Sequence, residues 1–472
     1  MQLLLQNLKV RIEEDGIEAY KKSASKRIKK SPDEIIDLKI TRKSLDARDK
    51  NQFFYNLSLL ITVPPLEKEE QQKEKKVARK LKERPIIVGF GPAGIFAALT
   101  FLEYGIKPII FERGSRIGDR DQDIAEFNKT GKLNTESNIQ FGEGGAGAYS
   151  DGKLTTRSKE KGSVSKVLET FIKFGAPEEI GYVNKPHLGT DRLKVIIKNL
   201  RKHILEQGGE IYFNSKLTDF NIEDGKINYI VINGQEKVKS EHLILATGHS
   251  ARETYQKLKE KSIKLQAKSF AAGIRIEHPA ELINLMQYGE KYKDYPGLGA
   301  ADYSFTYKDK ENNRGVYTFC MCPGGEVINA SSEEGLLAIN GMSNSKRDGK
   351  YSNSAVVVTV TPEDFGSDDP LAGIEFQRMI EKKAILPDFV SNSLEKALRH
   401  WEARFPLFSS RKAKIYVPET RTSAPVRILR NEQRQAEHVS NLYPVGEGSG
   451  YAGGIVSSAV DGIKAVEAIL KL

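Results

Sequence analysis

Glycines spaced so that a phosphate can lie against bare backbone are the clearest chemical signal in this sequence. Gly89-Phe90-Gly91-Pro92-Ala93-Gly94 is a G-x-G-x-x-G. It follows Ile86-Ile87-Val88, a β-branched run that reads as a buried parallel strand. It precedes Ile95, Ala98, Leu99 and Leu102, which share one face of a helix. Gly105 is placed to end that helix, and Pro108-Ile109-Ile110-Phe111 gives a second buried strand ending at Glu112. Gly89 permits the tight turn, Gly91 lets a pyrophosphate approach, and Gly94 lets helix and strand pack closely. The helix N-terminus offers free N–H groups and a partial positive charge to the phosphates. Glu112 stands near the spacing expected of the acid that holds a ribose diol. Alone, the glycine pattern is weak; strand, turn, helix, strand and acid in register predict a dinucleotide site.

A second set of residues carries side-chain chemistry. Cys320 and Cys322 lie two apart in Tyr317-Thr318-Phe319-Cys320-Met321-Cys322, which reads as a strand. Both thiols would then face one side with Cα atoms ~6.6–6.8 Å apart, at or beyond the edge of disulfide geometry. Either they are two small core residues or a thiol acts on a bound cofactor. His187, His249 and His278 fall inside the motifs 186–192, 246–252 and 275–279. A histidine there is a structural residue or a proton shuttle, since its ordinary pKa is near neutrality. Arg275, Arg421 and Arg427, with Ser423 between the last two, could clamp an anionic substrate or form ordinary salt bridges. No metal-ligand spacing and no Ser/His/Asp arrangement stands out.

Two further glycine clusters need placing. Gly142-Glu143-Gly144-Gly145-Ala146-Gly147 also fits G-x-G-x-x-G, but Asn138-Ile139-Gln140-Phe141 is a poor buried strand and no amphipathic helix follows. It reads as a loop that wraps a ligand. Gly446-Glu447-Gly448 follows a plausible strand, and Gly453-Gly454 opens a terminal helix from Ile455 to Leu472. A helix N-terminus aimed at a flavin would stabilise its reduced, negatively charged form by ~0.3–2 kcal/mol. Leu243-Ile244-Leu245-Ala246-Thr247-Gly248 is an apolar strand ending in Ala-Thr-Gly. In flavoproteins of the glutathione-reductase type such segments lie near the adenine end and the isoalloxazine, so the dinucleotide is expected to be FAD. The cofactor set is then Gly89, Gly91, Pro92, Ala93, Gly94, Glu112 and Arg113 from the first unit. Gly142, Gly144, Gly145, Ser150, Gly152 and Lys153 come from the loop and its exit. Thr247, Gly248, Gly446, Glu447, Gly453, Gly454 and Ile455 complete it. His187, His249, Cys320 and Cys322 are the catalytic candidates; Arg275, Arg421, Ser423 and Arg427 are the substrate-binding ones.

The elements that must position these residues are α/β. From Pro85, short apolar runs, glycine turns and amphipathic helices alternate, the pattern of a layered domain. The stretch from about Gln266 to Lys414 has mixed strands and many turns, and the α/β signal returns at Leu442. We read a Rossmann-type FAD-binding domain in two parts, 85–265 and 415–472, with an inserted mixed α+β substrate domain at 266–414. Residues 1–66 read strand, helix, strand, strand, a small N-terminal βαββ domain. Residues 67–84, almost entirely charged, form a solvated helix or a linker.

Composition bounds the rest. The 472 residues are 39% hydrophobic and 29% charged, which is globular, and no apolar run approaches the ~20 residues of a membrane span. The start carries no signal-peptide pattern, and two cysteines suit a reducing compartment, so the expected setting is cytoplasmic. The net charge of +10 arises from 73 basic against 63 acidic residues, a small excess with much of it in the first ~85 residues. It is a solvated face or the mark of an acidic partner.

The chain resembles a bacterial and plastid family known as uncharacterised FAD-dependent dehydrogenases. The matching motifs are Ser44-Leu45-Asp46-Ala47-Arg48; Phe141 through Gly147 leading into Ser150-Asp151-Gly152-Lys153-Leu154; and Pro186-His187-Leu188-Gly189-Thr190-Asp191-Arg192. Ala246 through Arg252, Arg275-Ile276-Glu277-His278-Pro279 and Cys320-Met321-Cys322-Pro323-Gly324-Gly325 continue the match, which closes with Arg421 through Arg427 and Gly446 through Gly454. The segment before Pro85 is shorter than the family's. The resemblance implies FAD binding and redox activity and supplies no substrate. The expected function is an FAD-dependent oxidoreductase acting on a small molecule, with NAD(P)H, if used, a transient donor, since no second nucleotide fingerprint is visible. The alternatives are a flavoprotein acting on RNA, or one docking to a protein partner, through the basic N-terminal domain.

Overall fold

Ile86–Val88, Ile109–Phe111, Leu243–Leu245 and Leu442–Pro444 are short and apolar on both faces, as strands covered on both sides must be. In the computed structural model, which describes residues 1–64 and 81–471, they join Glu210–Tyr212 in one parallel sheet. Its order is Leu442–Pro444, Leu243–Leu245, Ile86–Val88, Ile109–Phe111, Glu210–Tyr212. The helices Pro92–Glu103 and Ile455–Leu470 pack through Phe96, Ala97, Val456 and Ala459, all buried in one cluster with Ile87 of the sheet. The glycines of the first turn are demanded by close approach. A β-carbon on Gly94 would stand 2.0 Å from the Gly89 carbonyl oxygen, and one on Gly89 (φ +104°) 2.3 Å from that of Ala246.

The second large sheet is antiparallel, in the order Thr306–Asp309, Arg314–Cys322, Tyr351–Val360, Phe270–Pro279, Lys414–Glu419. Period-two alternation divides its faces. Phe270, Ala272, Ile274, Val356, Val358 and Val360 point into a core shared with the helix Asp388–Arg404 and a set of packed rings. In that set Phe305 stacks on Phe405 at 4.7 Å and meets Phe408 edge-on at 5.2 Å. Ala271, Ala355 and Val357 lie in a separate small cluster on the other face, with Tyr317 packed against it. The sheet corrects one expected boundary. Lys414–Glu419 pairs with Phe270–Pro279, so a division at 414/415 falls on the first residue of a strand that belongs to the antiparallel unit.

Residues 2–62 form a three-stranded antiparallel sheet with Phe54–Thr62 between Gln2–Arg11 and Asp37–Asp46, covered by the helix Ile17–Ile28. Leu57, Leu59 and Ile61 alternate into a core with Leu8, Val10, Tyr20 and Ala24. The sheet is tied to the body of the molecule. Lys43 N–H donates to the Tyr182 carbonyl at 2.8 Å, Asn184 N–H donates to the Lys43 carbonyl at 2.9 Å, and Phe53 stacks on Tyr292 at 4.2 Å. Most of the expected charged segment 67–84 lies outside the described residues. Among those described, no helix is long and apolar enough to cross a membrane and no group of side chains could hold a metal ion.

Candidate cofactor and active site

Open parallel sheets bind ligands beyond the carboxyl ends of their strands, because loops and helix N-termini converge there. Here a cavity of about 660 Å³ occupies that position, within the ~300–1,000 Å³ usual for ligand sites. Four strand ends feed it. Gly89, Gly91, Pro92 and Ala93 follow the first; Glu112 and Arg113 the second; Thr247, Gly248 and His249 the third; Gly446 and Glu447 the fourth. Gly142, Gly145, Ser150, Gly152 and Lys153 add the glycine loop, and Gly453, Gly454 and Ile455 add the start of the last helix.

Backbone groups dominate this half of the cavity. Neither Pro92–Glu103 nor Ile455–Leu470 has a side-chain cap, so both present unsatisfied N–H groups and a positive helix end. The Glu112 carboxylate is buried and accepts from Phe90 N–H at 2.7 Å, Gly114 N–H at 2.9 Å and Gly142 N–H at 3.0 Å. The acid expected for a ribose diol therefore holds the first turn and the glycine loop in register. A carboxylate has about four acceptor sites, so capacity remains on the cavity side. The loop itself is threaded by Arg120, fully buried, whose guanidinium donates to the carbonyls of Asn138, Ile139, Glu143 and Gly145 at 2.7–3.1 Å. Nothing in the sequence marks Arg120, an arginine on an otherwise ordinary amphipathic helix.

Two expected cofactor residues sit elsewhere. Gly94 packs against the Gly89 carbonyl and Gly144 against Ile197 and Ala148, so both shape the walls from behind. Glu447, after the fourth strand, has its carboxyl pushed up to about 7 by burial, with Lys268 pulling the other way. His249 also faces the cavity, and burial followed by the nearby Arg421 and Arg252 guanidiniums pushes it down to about 3. It is a neutral imidazole at ordinary pH, its Nδ1 3.1 Å from Ser250 Oγ, which in turn lies 3.0 Å from Gln140 Oε1.

The antiparallel sheet forms the opposite wall, and here several expectations are corrected. Arg275 does not face the cavity. It is fully buried, donates to Glu419 at 2.9 Å and to Asn353 at 2.7 Å, and has no free fork for a substrate. Arg421 lines the cavity, but its guanidinium is spent on Glu381 at 3.0 and 3.1 Å and on Ser332 at 2.8 Å. Glu381 is shared with Arg252, which meets both its oxygens at 2.9 Å. Arg427 lies outside the cavity lining with its guanidinium over the Tyr451 ring, while Ser423 lines it. His187 is held behind the wall by the Ser345 carbonyl at 3.1 Å, and His278 lies beneath the sheet on the Phe408 carbonyl at 2.7 Å.

The cysteine stretch is not a regular strand. Phe319 pairs with Ala355 and Cys322 with Asn353, so three steps on one strand oppose two on the other, a bulge. Cys320 adopts φ +43° within it. Cys320 lines the cavity and Cys322 is buried behind it, so the two do not share one face as a flat strand would require. Lys268 is marked by no motif in the sequence. Its ammonium is half-buried and lies 3.4 Å from Ser423 Oγ and 3.3 Å from the Ala424 carbonyl.

Residues 269–386, which carry four strands of the antiparallel sheet, match the family model described as FAD-dependent protein, C-terminal domain-like. An uncharacterised protein of Clostridium beijerinckii is 42% identical over 531 residues, covering 100% of this chain and 99% of that protein. The chain belongs to a family of FAD-dependent proteins. Residues 1–62 match a second model, a domain of unknown function (DUF8436). Among solved structures, the flavin-dependent brominase Bmp2 is 13% identical with a TM-score of 0.39, covering 82% of this chain and 78% of that one. A geranylgeranyl bacteriochlorophyll reductase-like protein from Thermoplasma acidophilum is 14% identical with a TM-score of 0.38, covering 81% and 76%. The cavity fits the cofactor of an FAD-dependent protein. Two uncapped helix ends suit a pyrophosphate and an electron-rich ring edge, and the bare glycine backbone admits both closely.

Proposed function

We propose that this protein is an FAD-dependent oxidoreductase acting on a small molecule with an anionic group. The observation that carries the reading is one continuous cavity with two different walls. One is a backbone cradle at the ends of four parallel strands; the other is a sheet face bearing Tyr317 and Cys320, with Lys268 in contact with the lining Ser423 hydroxyl. Bound FAD would supply two-electron transfer, the part of the chemistry no side chain can provide. The chain's own residues bind and orient. The helix starting at Pro92 would hold the pyrophosphate through its free N–H groups, with Glu112 on the ribose side. The helix starting at Ile455 would face the ring system with Gly453 and Gly454 at its entrance.

Lys268 is the substrate anchor in this reading. Among the described residues no carboxylate forms an ion pair with it, and its contacts are the Ser269 and Ala424 carbonyls and the Ser423 hydroxyl. A buried cation without an acid partner is costly until an anion arrives. Glu447, titrating near 7, can hold or release a proton at the same end of the cavity, and neutral His249 can donate or accept a hydrogen bond there.

The test is the visible spectrum of the purified protein and its anaerobic titration with NADH and NADPH. Bound flavin absorbing near ~450 nm that bleaches with either nucleotide identifies a reductase with a nicotinamide donor. Flavin that only an organic substrate bleaches identifies a dehydrogenase. A colourless protein that takes up no added FAD overturns the reading.

A further inference from the structure

We infer that Cys320 and Cys322 form a redox-active dithiol that exchanges two electrons with the bound flavin; the inference rests on the flavin reading above. They are the two cysteines of the whole chain. The bulge is what makes them a pair. In a flat strand the two thiols would project from one face about 6.6–6.8 Å apart at the Cα atoms. With the extra residue and the left-handed Cys320, the Cys322 thiol turns back to donate to the Cys320 carbonyl at 3.4 Å. A non-glycine residue held at positive φ is strained and persists only where its surroundings enforce it.

The surroundings here are two cations. Arg275 donates to the Cys320 carbonyl at 3.3 Å from a position fixed by Glu419 and Asn353. Lys153 donates to the Met321 carbonyl and pairs with Asp151 at 2.8 Å. Both positive charges therefore bear on the bulge that holds the thiols, and both favour a thiolate on Cys320. Behind the pair Gly341 leaves the space that Cys322 uses, since a β-carbon there would stand 2.8 Å from its sulfur. In front, Cys320 opens on the cavity that also contains Gly453, Gly454 and Glu447. One sulfur faces the cofactor site and the other waits behind it, the arrangement of an attacking and a resolving thiol.

In the oxidative direction two S–H bonds break and one S–S bond forms. The dithiol gives up two electrons and two protons. Both electrons and one proton go to oxidised flavin, and the second proton leaves through the cavity to solvent. In reverse, the Cys320–Cys322 disulfide would take two electrons from reduced flavin and two protons to return to the dithiol, so the pair would relay electrons to a disulfide substrate entering the cavity.

An electron count tests this without any knowledge of the substrate. Air-oxidised holoprotein is titrated anaerobically with dithionite, and free thiols are counted in denaturant before and after. The expected result is four electrons per flavin, with thiols rising from none to two per chain, and two electrons per flavin in Cys320→Ser and Cys322→Ser. Two electrons per flavin in the unmodified protein, with both thiols already free in air, overturn the dithiol and leave the flavin reading standing. A colourless protein that takes up no FAD overturns both.

Discussion

The two walls of the cavity are built on opposite principles. The parallel-sheet wall offers backbone: glycine turns, two uncapped helix ends, and a Glu112 carboxylate that serves three N–H groups of its own chain. The antiparallel wall and its flank offer side chains brought together from far apart in sequence, as where Arg252 and Arg421 share Glu381. A backbone cradle can hold any molecule that carries the right phosphates, so it suits a cofactor. Side-chain constellations discriminate by charge and shape, so they suit a substrate. The turn at Gly89 and Gly94 tolerates no added atoms, whereas the charged wall tolerates no missing partner.

The largest expected effect comes from removing a partner. Glu381→Ala leaves two buried guanidiniums without their shared carboxylate, and breaking a buried pair this way costs about 3–5 kcal/mol. Urea denaturation should show that loss; an unchanged midpoint would mean that Glu333, which also reaches Arg252 at 2.7 Å, carries the balance alone. On the other wall, Gly94→Ala adds one carbon 2.0 Å from the Gly89 carbonyl oxygen. FAD should bind at least ~tenfold more weakly, which is about 1.4 kcal/mol. Full flavin retention through gel filtration would show that cradle shape matters less than argued.

A pH prediction sharpens the comparison at an acid of the cavity lining. Burial raises the Glu447 carboxyl from an ordinary 4.5 to about 7, against the pull of Lys268. The folded protein therefore binds its proton more tightly than the unfolded chain. Its contribution to stability is complete below 4.5 and is lost as pH rises through about 7. Glu447→Gln, neutral at every pH, should flatten stability across that window and remove any transition near 7 from the flavin spectrum. A wild-type profile already flat there would place Glu447 in wetter surroundings. The smallest effect is expected for Ser250→Ala, which cuts the link from Gln140 to His249. About 0.5–1.5 kcal/mol should be lost, and a larger loss would show that the link also holds the Ala-Thr-Gly strand end.

What could be read in advance follows the same division. Gly89, Gly91, Pro92 and Ala93 and the entrance to the last helix were legible, because a close turn into a helix imposes glycine at fixed spacing over a few residues. The strands Ile86–Val88, Ile109–Phe111 and Leu243–Leu245 were legible as apolar runs between such turns. Arg120 and Lys268 were not. An arginine that satisfies four loop carbonyls looks in sequence like any arginine on a polar helix face, and a cation that lacks a partner is defined by what is not near it. Arg275 and Arg421 were visible as residues and misplaced in role, since pairing with Glu419 and Glu381 depends on strands and helices more than a hundred residues apart meeting only after folding in the first case, and forty in the second.

Sequence alone therefore determined the class of the fold and most of the glycine lining of the cavity, because both rest on local rules: period-two and helical alternation, glycine where backbone must pass close, an acid after the second strand. Tertiary structure decided which charged residues are spent on one another and which stay available, because an ion pair is a property of two segments and neither carries its mark. It also decided the geometry of Cys320 and Cys322. A bulge is set by the register against the neighbouring strand, Ala355 to Asn353, and a strand read by itself has no register.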